Sequence, residues 1–497
     1  HGHSMTSQHE SYAAPHMNKP TVPELVESLG AGPAQIYVLL LGAGGIIFCY
    51  GIAFTSLNVI SVSVANDMNV GASWTRGLLV TAASIGLMFG SAAGSAADSL
   101  GRLRCVTTGY VIIAASSVLV ATMRTWSLMV LFCGGIGFGV GCGLGPGIVM
   151  MSELTPERWR LTFRVCTAAC YIPGTTITAL VASFDDPNLE DLVWRRLLVF
   201  ASANSLVFAF LSALLLPESP VLLAAKSEYS EACHGFQWMA ERNGKDHLFI
   251  GYQDLPQILH SSVKLGWLER LRVVSSHRYA FALFAGCFAD ICINFTDKGR
   301  QYANPQIFNS AGSALPAAYE IIVTDLPAQI LACIVVLMFF EKIARKIGVM
   351  VGLGLIVLGS CNLCIAGTQP EPRHWWMEAL FQIGLMSLAG GCKMGYAVLY
   401  QFAVEIFHPA VSSTGSAIII LTGRLGAALA PIAFETIRAR LNWPSFYLLI
   451  AVMSTVGILF MSQTPVKIDW GEDSMDCVDG DGEAADLLSK HAGRTYG

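Results

Sequence analysis

Residues 94–104 read Gly94-Ser-Ala-Ala-Asp98-Ser-Leu-Gly101-Arg102-Leu-Arg104, and residues 341–346 read Glu341-Lys342-Ile-Ala344-Arg345-Lys346. Each is an acid, two residues, a small residue and then basic residues. Both lie between apolar runs of about twenty residues, the length that crosses the hydrocarbon core of a bilayer as a helix. Outward from them, such runs fall near 34–57, 76–97, 105–122, 127–150, 162–182 and 194–215. A polar interval from Pro217 to His277 follows, and then runs near 279–296, 315–340, 347–367, 376–402, 412–433 and 444–462. The order is six runs, a long loop and six runs, which places the two stretches six helices apart. An internal repeat of this kind predicts an all-α membrane protein of twelve helices in two pseudo-symmetric six-helix bundles.

The composition agrees. Charged residues are 13% of the chain against roughly a quarter in ordinary globular proteins, and 54% are hydrophobic. So little charge cannot wet the surface of a chain of 497 residues, and lipid must be its solvent. A formal net charge of -5 argues against a nucleic-acid partner. The acidity is local: Asp469 to Asp486 gathers carboxylates without apolar periodicity, as a disordered tail does. The residues before Met5, HGHS, read as an expression remnant, and nothing after Met5 has the pattern of a cleaved signal.

Lys and Arg collect in the loops between runs 2–3, 4–5, 6–7 and 8–9, among them Arg102, Arg104, Arg158, Arg160, Lys342, Arg345 and Lys346. Positive loops stay on the cytoplasmic side, so both termini are expected there. Arg195, Arg196, Lys298 and Arg300 blur the contrast, being read as charges of the opposite loops. The expected organisation is a cytoplasmic N-terminal segment (1–33), a first bundle (34–216) and a central cytoplasmic loop with an amphipathic helix at Tyr229–Asn243 (217–278). A second bundle (279–463) and the acidic tail (464–497) complete it.

The 94–104 stretch matches the pattern G-x-x-x-D-x-x-G-R-[RK]-[RK], with Leu103 interrupting the basic run. Glu153-Leu-Thr-Pro156-Glu-Arg-Trp-Arg160 follows run 4, and Pro217-Glu218-Ser219-Pro220 closes run 6. Run 8 contains Asp325-Leu-Pro327-Ala, and run 11 contains Gly423-Arg424-Leu-Gly426 and then Pro431. At these places the chain resembles the major facilitator superfamily, in the branch that includes organic ion, niacin-type and sugar-porter-related carriers. The resemblance runs from the first helix to the twelfth. It implies a secondary active transporter without cofactor, working by alternating access, and not an enzyme. It also implies a cytoplasmic gate at Asp98, Gly101, Arg102, Arg104, Glu153, Arg160, Glu341, Arg345 and Glu405.

The chain departs from that branch in two places. Cys133 stands where an Arg is usual inside helix 4, and Glu405-Ile-Phe-His408-Pro409-Ala-Val-Ser412 carries Ser412 where an Arg is usual. The Q-Q-x-x-G-x-N pattern with which sugar porters hold their substrate is absent from helix 7, which reads Ala285-Gly-Cys-Phe-Ala-Asp290.

A charge in hydrocarbon costs at least ~2.5 kcal/mol on insertion scales, so intramembrane ionisable residues are functional candidates. They are Asp290, Glu320, Asp325, Lys393 and Arg424. Guanidinium holds a carboxylate through two parallel hydrogen bonds, which makes Arg424 the leading anion-binding candidate. By resemblance its position tends to be Arg in organic anion carriers and Asp in organic cation carriers. Lys393 would supply a second positive charge, and Asp290, Tyr396, Phe288 and Tyr171 complete the expected substrate site. The alternative for Arg424 is a permanent structural pair with Asp290, and for Asp325 a bond to backbone groups freed by Pro327. Asp290, Glu320 and Asp325 are the candidates for proton coupling.

The expected cargo is therefore a small organic anion, an aromatic or other monocarboxylate first, with H+ as a candidate co-substrate. A sugar or polyol carrier and a non-transporting receptor or scaffold are the alternatives. The expected setting is the plasma membrane, as a multi-pass monomer in lipid. Fourteen Cys lie mostly in apolar runs without zinc spacing, so no metal site is expected. The Gly134–Gly147 ladder contains G-x-G-x-x-G with no strand before it and reads as a helix-packing face. Asn294-Phe-Thr296 fits a glycosylation sequon at the outer end of helix 7, too near the membrane for use.

Overall fold

The computed structural model describes residues 20–70, 73–95, 97–190, 192–246, 251–252, 267–310, 315–339, 343–368, 374–407 and 409–465. Six membrane-length helices form the first half: Pro33–Asp67 (span 1), Trp74–Gly94 (span 2), Arg102–Thr122 (span 3), Trp126–Leu154 (span 4), Glu157–Asp185 (span 5) and Trp194–Leu215 (span 6). Tyr279–Phe308 (span 7), Ala317–Phe339 (span 8), Arg345–Ala366 (span 9), Thr414–Arg440 (span 11) and Trp443–Gln463 (span 12) belong to the second. Span 10, Trp375–Glu405, is 31 residues long and carries Glu378, Gln382, Lys393 and Gln401 along an otherwise apolar helix.

Helices associate in lipid by close packing at small residues. A methyl group on Gly109 of span 3 would stand 2.7 Å from the Gly139 carbonyl oxygen and 3.1 Å from the Gly143 nitrogen of span 4. Six helices on, a methyl on Gly352 of span 9 would stand 3.1 Å from the Gly395 nitrogen and 3.2 Å from the Gly391 oxygen of span 10. The same glycine seam thus recurs in both halves, which is the pseudo-symmetry expected from the repeat. Spans 1–6 pack on one another, and spans 7–12 do likewise.

The halves meet across spans 2 and 11, 5 and 8, and 1 and 7. At the end remote from the 2–3 loop, Thr81 donates to the Ala428 carbonyl at 2.8 Å and the Ala318 amide donates to the Pro187 carbonyl at 3.0 Å. At the end bearing the 2–3 loop, Arg164 of span 5 donates to Gln401 of span 10 at 2.6 Å.

Two expectations are corrected. Span 7 does not stop at 296 but continues in a helix His277–Ser310, so Lys298 and Arg300 are buried inside it rather than in an outer loop. Paired charges within the helix offset the insertion cost that a hydropathy reading assigns to each one separately. Asn294 is likewise fully buried at mid-helix, which rules out its use as a sequon.

The N-terminal segment is not a uniformly polar extension. Val22–Leu29 is a helix whose Val22, Leu25, Val26 and Leu29 are buried. They pack in a second apolar core with Met150, Met151 and Leu154 of span 4 and with Ala232, Phe236 and Met239 of the helix Tyr229–Arg242. Asn243, just after that helix, donates to the Leu29 and Gly30 carbonyls and to Gln35, and accepts from the Ala34 amide at 3.0 Å. Residues 466–497 of the expected acidic tail lie outside the described residues, as do Glu341 and the side chains of Asp98 and Ser412.

Candidate functional site

Span 7 brings three charged residues to the interface of the halves. Arg300, 2% exposed, holds both Asp325 oxygens through Nη1 at 2.6 and 2.8 Å and Asp297 through Nη2 at 3.0 Å. Asp297 also accepts from Gln301 at 3.0 Å and from the Tyr396 hydroxyl at 3.5 Å. Asp325 therefore partners a guanidinium across spans 7 and 8, not the backbone opened by Pro327.

Lys298 points at the first half. Its ammonium is 3.5 Å from Asp297, 3.2 Å from the Tyr171 hydroxyl and 3.3 Å from Gln301, whose side-chain oxygen also accepts from Tyr171 at 2.8 Å. It lies 4.7 Å from the centre of the Tyr50 ring and 5.0 Å from that of Tyr171, distances at which the face of the ring attracts a cation. Lys393 approaches Tyr171 too, at 5.0 Å, and donates to the Ala168 carbonyl at 3.4 Å.

Arg424 and Asp290 lie nearer the 2–3 loop end. Asp290 is fully buried; one oxygen accepts from Asn294 at 2.9 Å and the other has no partner among the described residues. Arg424 is 8% exposed, and its Nε is also without a partner. Asp290, Tyr50, Tyr396 and Tyr400 are within electrostatic reach of Arg424, but no ion pair or hydrogen bond to its side chain occurs among the described residues. The Arg424–Asp290 pair read as the structural alternative is thus not formed at bonding distance.

Of the residues singled out in the sequence, the structure brings Arg424, Asp290, Lys393, Tyr396 and Tyr171 to one place. Phe288 is elsewhere: it packs on Phe460 at 5.3 Å and on Phe284 at 6.4 Å, and Phe284 is itself exposed at the bundle's surface. Its helical position turns it toward span 12 rather than the interface. Glu320, 1% exposed, bonds Gln382 of span 10 and leaves one oxygen unpartnered, apart from the lysine and arginine cluster.

Asp297 and Gln301 escape the sequence reading, in which Lys298 and Arg300 are loop charges and Tyr50 is only one of the aromatics near the expected cavity. The signal was there: Asp297 and Arg300 are three residues apart, a spacing at which helical side chains meet.

Two of the expected gate pairs form among the described residues, one in each half. Arg102 is ion-paired with Glu153, and Glu218 accepts from the Arg102 and Leu103 amides at 2.8 and 3.0 Å. Gly101 has φ 110° with the Glu218 carboxylate against its Cα, a conformation and a closeness that require glycine. Arg345 reaches Glu405 at 3.3 Å, Arg160 bonds the Thr155 carbonyl at 3.4 Å, and Arg104 is exposed.

Twelve spans in two repeated halves, with buried charges facing each other across the interface, define a multi-pass membrane protein of the two-bundle kind. The chain belongs to the sugar (and other) transporter family, whose model matches residues 37–466. It is 29% identical over 186 residues to solute carrier family 22 member 2 of Homo sapiens, a match that spans 37% of this chain and 32% of that relative. It is 22% identical to the glucose transporter GlcP of Staphylococcus epidermidis over 85% of this chain and 92% of that one. Other relatives are named as an organic anion transporter and an arabinose-proton symporter. The fold matches the partially occluded inward-open xylose transporter XylE of E. coli with a TM-score of 0.66 and 19% identity, covering 87% of this chain and 99% of that chain. The major facilitator fold is thereby shown.

Proposed function

We propose that this chain carries a small organic anion, an aromatic or other monocarboxylate, across the membrane by alternating access of its two halves. The observation that supports this most is Arg424, buried at the interface with Nε unpartnered and no carboxylate at bonding distance. Around the central tyrosines Lys298, Arg300, Lys393 and Arg424 face Asp290, Asp297 and Asp325, an excess of one cation once the buried Glu320 and Glu435, held by Gln382 and Tyr302, are set apart. A bound monoanion offsets that excess, and a planar acid suits the tyrosines around it. Relatives named for organic anions agree with the reading. Those named for sugars make a sugar or polyol carrier the competing one.

In this reading residues 34–216 and 279–463 are the two moving units, and 217–278 with the N-terminal helix lies on the cytoplasmic face. Both termini are cytoplasmic, the protein acts as a monomer in the plasma membrane, and Asp290, Glu320 and Asp325 are the candidates should a proton be coupled. Asp98, Gly101, Arg102, Arg104, Glu153, Arg160, Glu341, Arg345 and Glu405 form the cytoplasmic gate.

The test is thermal stabilisation of the purified protein by aromatic carboxylates, organic cations and sugars at mildly acidic and neutral pH. A ligand at ~100 times its dissociation constant adds ~2.7 kcal/mol. An aromatic acid should raise the melting temperature of the wild type and not of Arg424→Ala, more strongly at acidic pH if a proton is coupled. Stabilisation by sugars alone transfers the assignment to the sugar reading. Stabilisation by nothing in the panel favours a receptor.

A further inference from the structure

An arginine stacked on an indole occurs at both ends of the first half. At one end Arg195 lies 4.1 Å from the centre of the Trp194 ring, and Asp67 accepts from its Nη1 at 3.5 Å. At the other, Arg242 lies 4.2 Å from the centre of the Trp238 ring and 5.5 Å from that of Tyr37. The two rings meet edge to face with their centres 6.4 Å apart, so the guanidinium sits in the angle between them. Here no carboxylate answers the charge. No ion pair or hydrogen bond to the Arg242 side chain occurs among the described residues, and the neighbouring Glu241 accepts from Gln237 at 3.2 Å instead. Stacking occupies the faces of a guanidinium and leaves free its edge, where five N–H donors lie in one plane.

This clamp stands at the rim of the membrane. Ile36, Tyr37 and Leu40 are exposed together on one face at the start of span 1, an apolar surface for which lipid is the cover. Thirty residues separate Tyr37 from Asp67, about 45 Å of helix, which is the thickness of a bilayer with its headgroups. Asp67 and Trp194 mark the opposite rim, so Arg242 falls at headgroup level on the face that bears the 2–3 loop. Arg242 also ends the helix Tyr229–Arg242, and the next residue, Asn243, binds the Leu29 and Gly30 carbonyls. Whatever holds Arg242 therefore braces the second apolar core.

We propose that Arg242, clamped between Trp238 and Tyr37, binds the headgroup phosphate of an anionic phospholipid and so fastens the helices Tyr229–Arg242 and Val22–Leu29 to the membrane surface. A guanidinium edge meets phosphate oxygens through two parallel hydrogen bonds. The net negative charge of such a lipid supplies what Asp67 supplies to Arg195, whereas a zwitterionic headgroup brings its own cation to its phosphate. The site is separate from the charges between the halves, and it is independent of which solute the protein carries.

The test uses the purified full-length protein in nanodiscs of phosphatidylcholine, with and without a minor share of phosphatidylglycerol. Phosphatidylglycerol should slow amide exchange across 229–243 at least about fivefold in the wild type and leave it unchanged in Arg242→Gln. Arg158→Gln removes an exposed cation at the same end and should respond as the wild type does. Lost stacking alone raises exchange in Arg242→Gln, so the comparison is the ratio between the two lipid mixtures within each variant. Mass spectrometry of the protein released in mild detergent gives a second readout: the wild type should retain one phosphatidylglycerol more than Arg242→Gln. No slowing in the wild type, an equal response of Arg242→Gln, equal retention by the two, or an equal loss in Arg158→Gln overturns the site. Inorganic phosphate added to the phosphatidylcholine discs should change nothing, and slowing by it to the same extent overturns the lipid as occupant.

Discussion

A methyl group on Gly423 would overlap the unpartnered oxygen of Asp290 and lie 2.5 Å from the Asn294 side-chain nitrogen. The residue before Arg424 thus admits a buried carboxylate against the span 11 backbone, and so fixes how close Asp290 comes to Arg424. Gly423→Ala should destabilise the protein by about 1–3 kcal/mol through overpacking and push Asp290 off Asn294. A thermal melt checks this, with Gly354→Ala as the comparison, because a methyl there meets nothing within 4 Å and should leave the melt in place. The Arg424→Ala outcome belongs to the same scale. At this scale the sequence was informative wherever a charge stood alone in an apolar run. Arg424, Asp290 and Lys393 were visible for that reason. Asp297, Lys298 and Arg300 were not, because three charges in four residues look like the end of a helix until their pairing is known.

Among the elements, span 7 shows why boundaries fail where chemistry is concentrated. Its continuation to Ser310 needs Arg300 to be satisfied by Asp325 of span 8, a partner 25 residues away that no window on the sequence includes. Most other spans fall within about five residues of their apolar runs, since burial in lipid leaves hydropathy as the dominant signal. Span 1, however, runs on from 57 to Asp67 with Asn58, Ser61 and Ser63 buried, and span 11 from 433 to Arg440. The N-terminal helix was hidden for the opposite reason: eight residues are too few to stand out, and their apolar face is spent on the platform of span 4 and Tyr229–Arg242. Asn243 is the fastener of that platform. Asn243→Ala removes its bonds to Leu29, Gly30, Ala34 and Gln35 and should cost about 1–3 kcal/mol locally, the range for a buried polar group left unmet. Hydrogen exchange at Val22–Leu29 should rise sharply, with the spans little changed. Unaltered protection there would mean that the apolar contacts alone hold the helix.

For the whole molecule, the repeat of 94–104 and 341–346 foretold the two halves, but not how they touch. A methyl on Gly77 would stand 2.9 Å from the Pro431 carbonyl carbon and 3.1 Å from the Ile432 nitrogen, at the end remote from the 2–3 loop. Gly77→Val should act as a wedge that keeps this end from closing. Transport in proteoliposomes should fall at least tenfold while ligand-induced stabilisation persists. Equal transport by Gly77→Val and wild type would show that this contact is not part of the cycle.

The platform at the N-terminus also has a consequence in time. Leu29 and Asn243 are 214 residues apart in the chain. A ribosome adding about 5–20 residues per second makes the second roughly 10–40 s after the first. Until Tyr229–Arg242 is made, the apolar face of Val22–Leu29 has at most the span 4 half of its lodging, Met150, Met151 and Leu154. The nascent chain therefore passes through a stage with a half-covered greasy helix ahead of its first span, a target for chaperones or quality-control proteases until the central loop emerges to complete the cover.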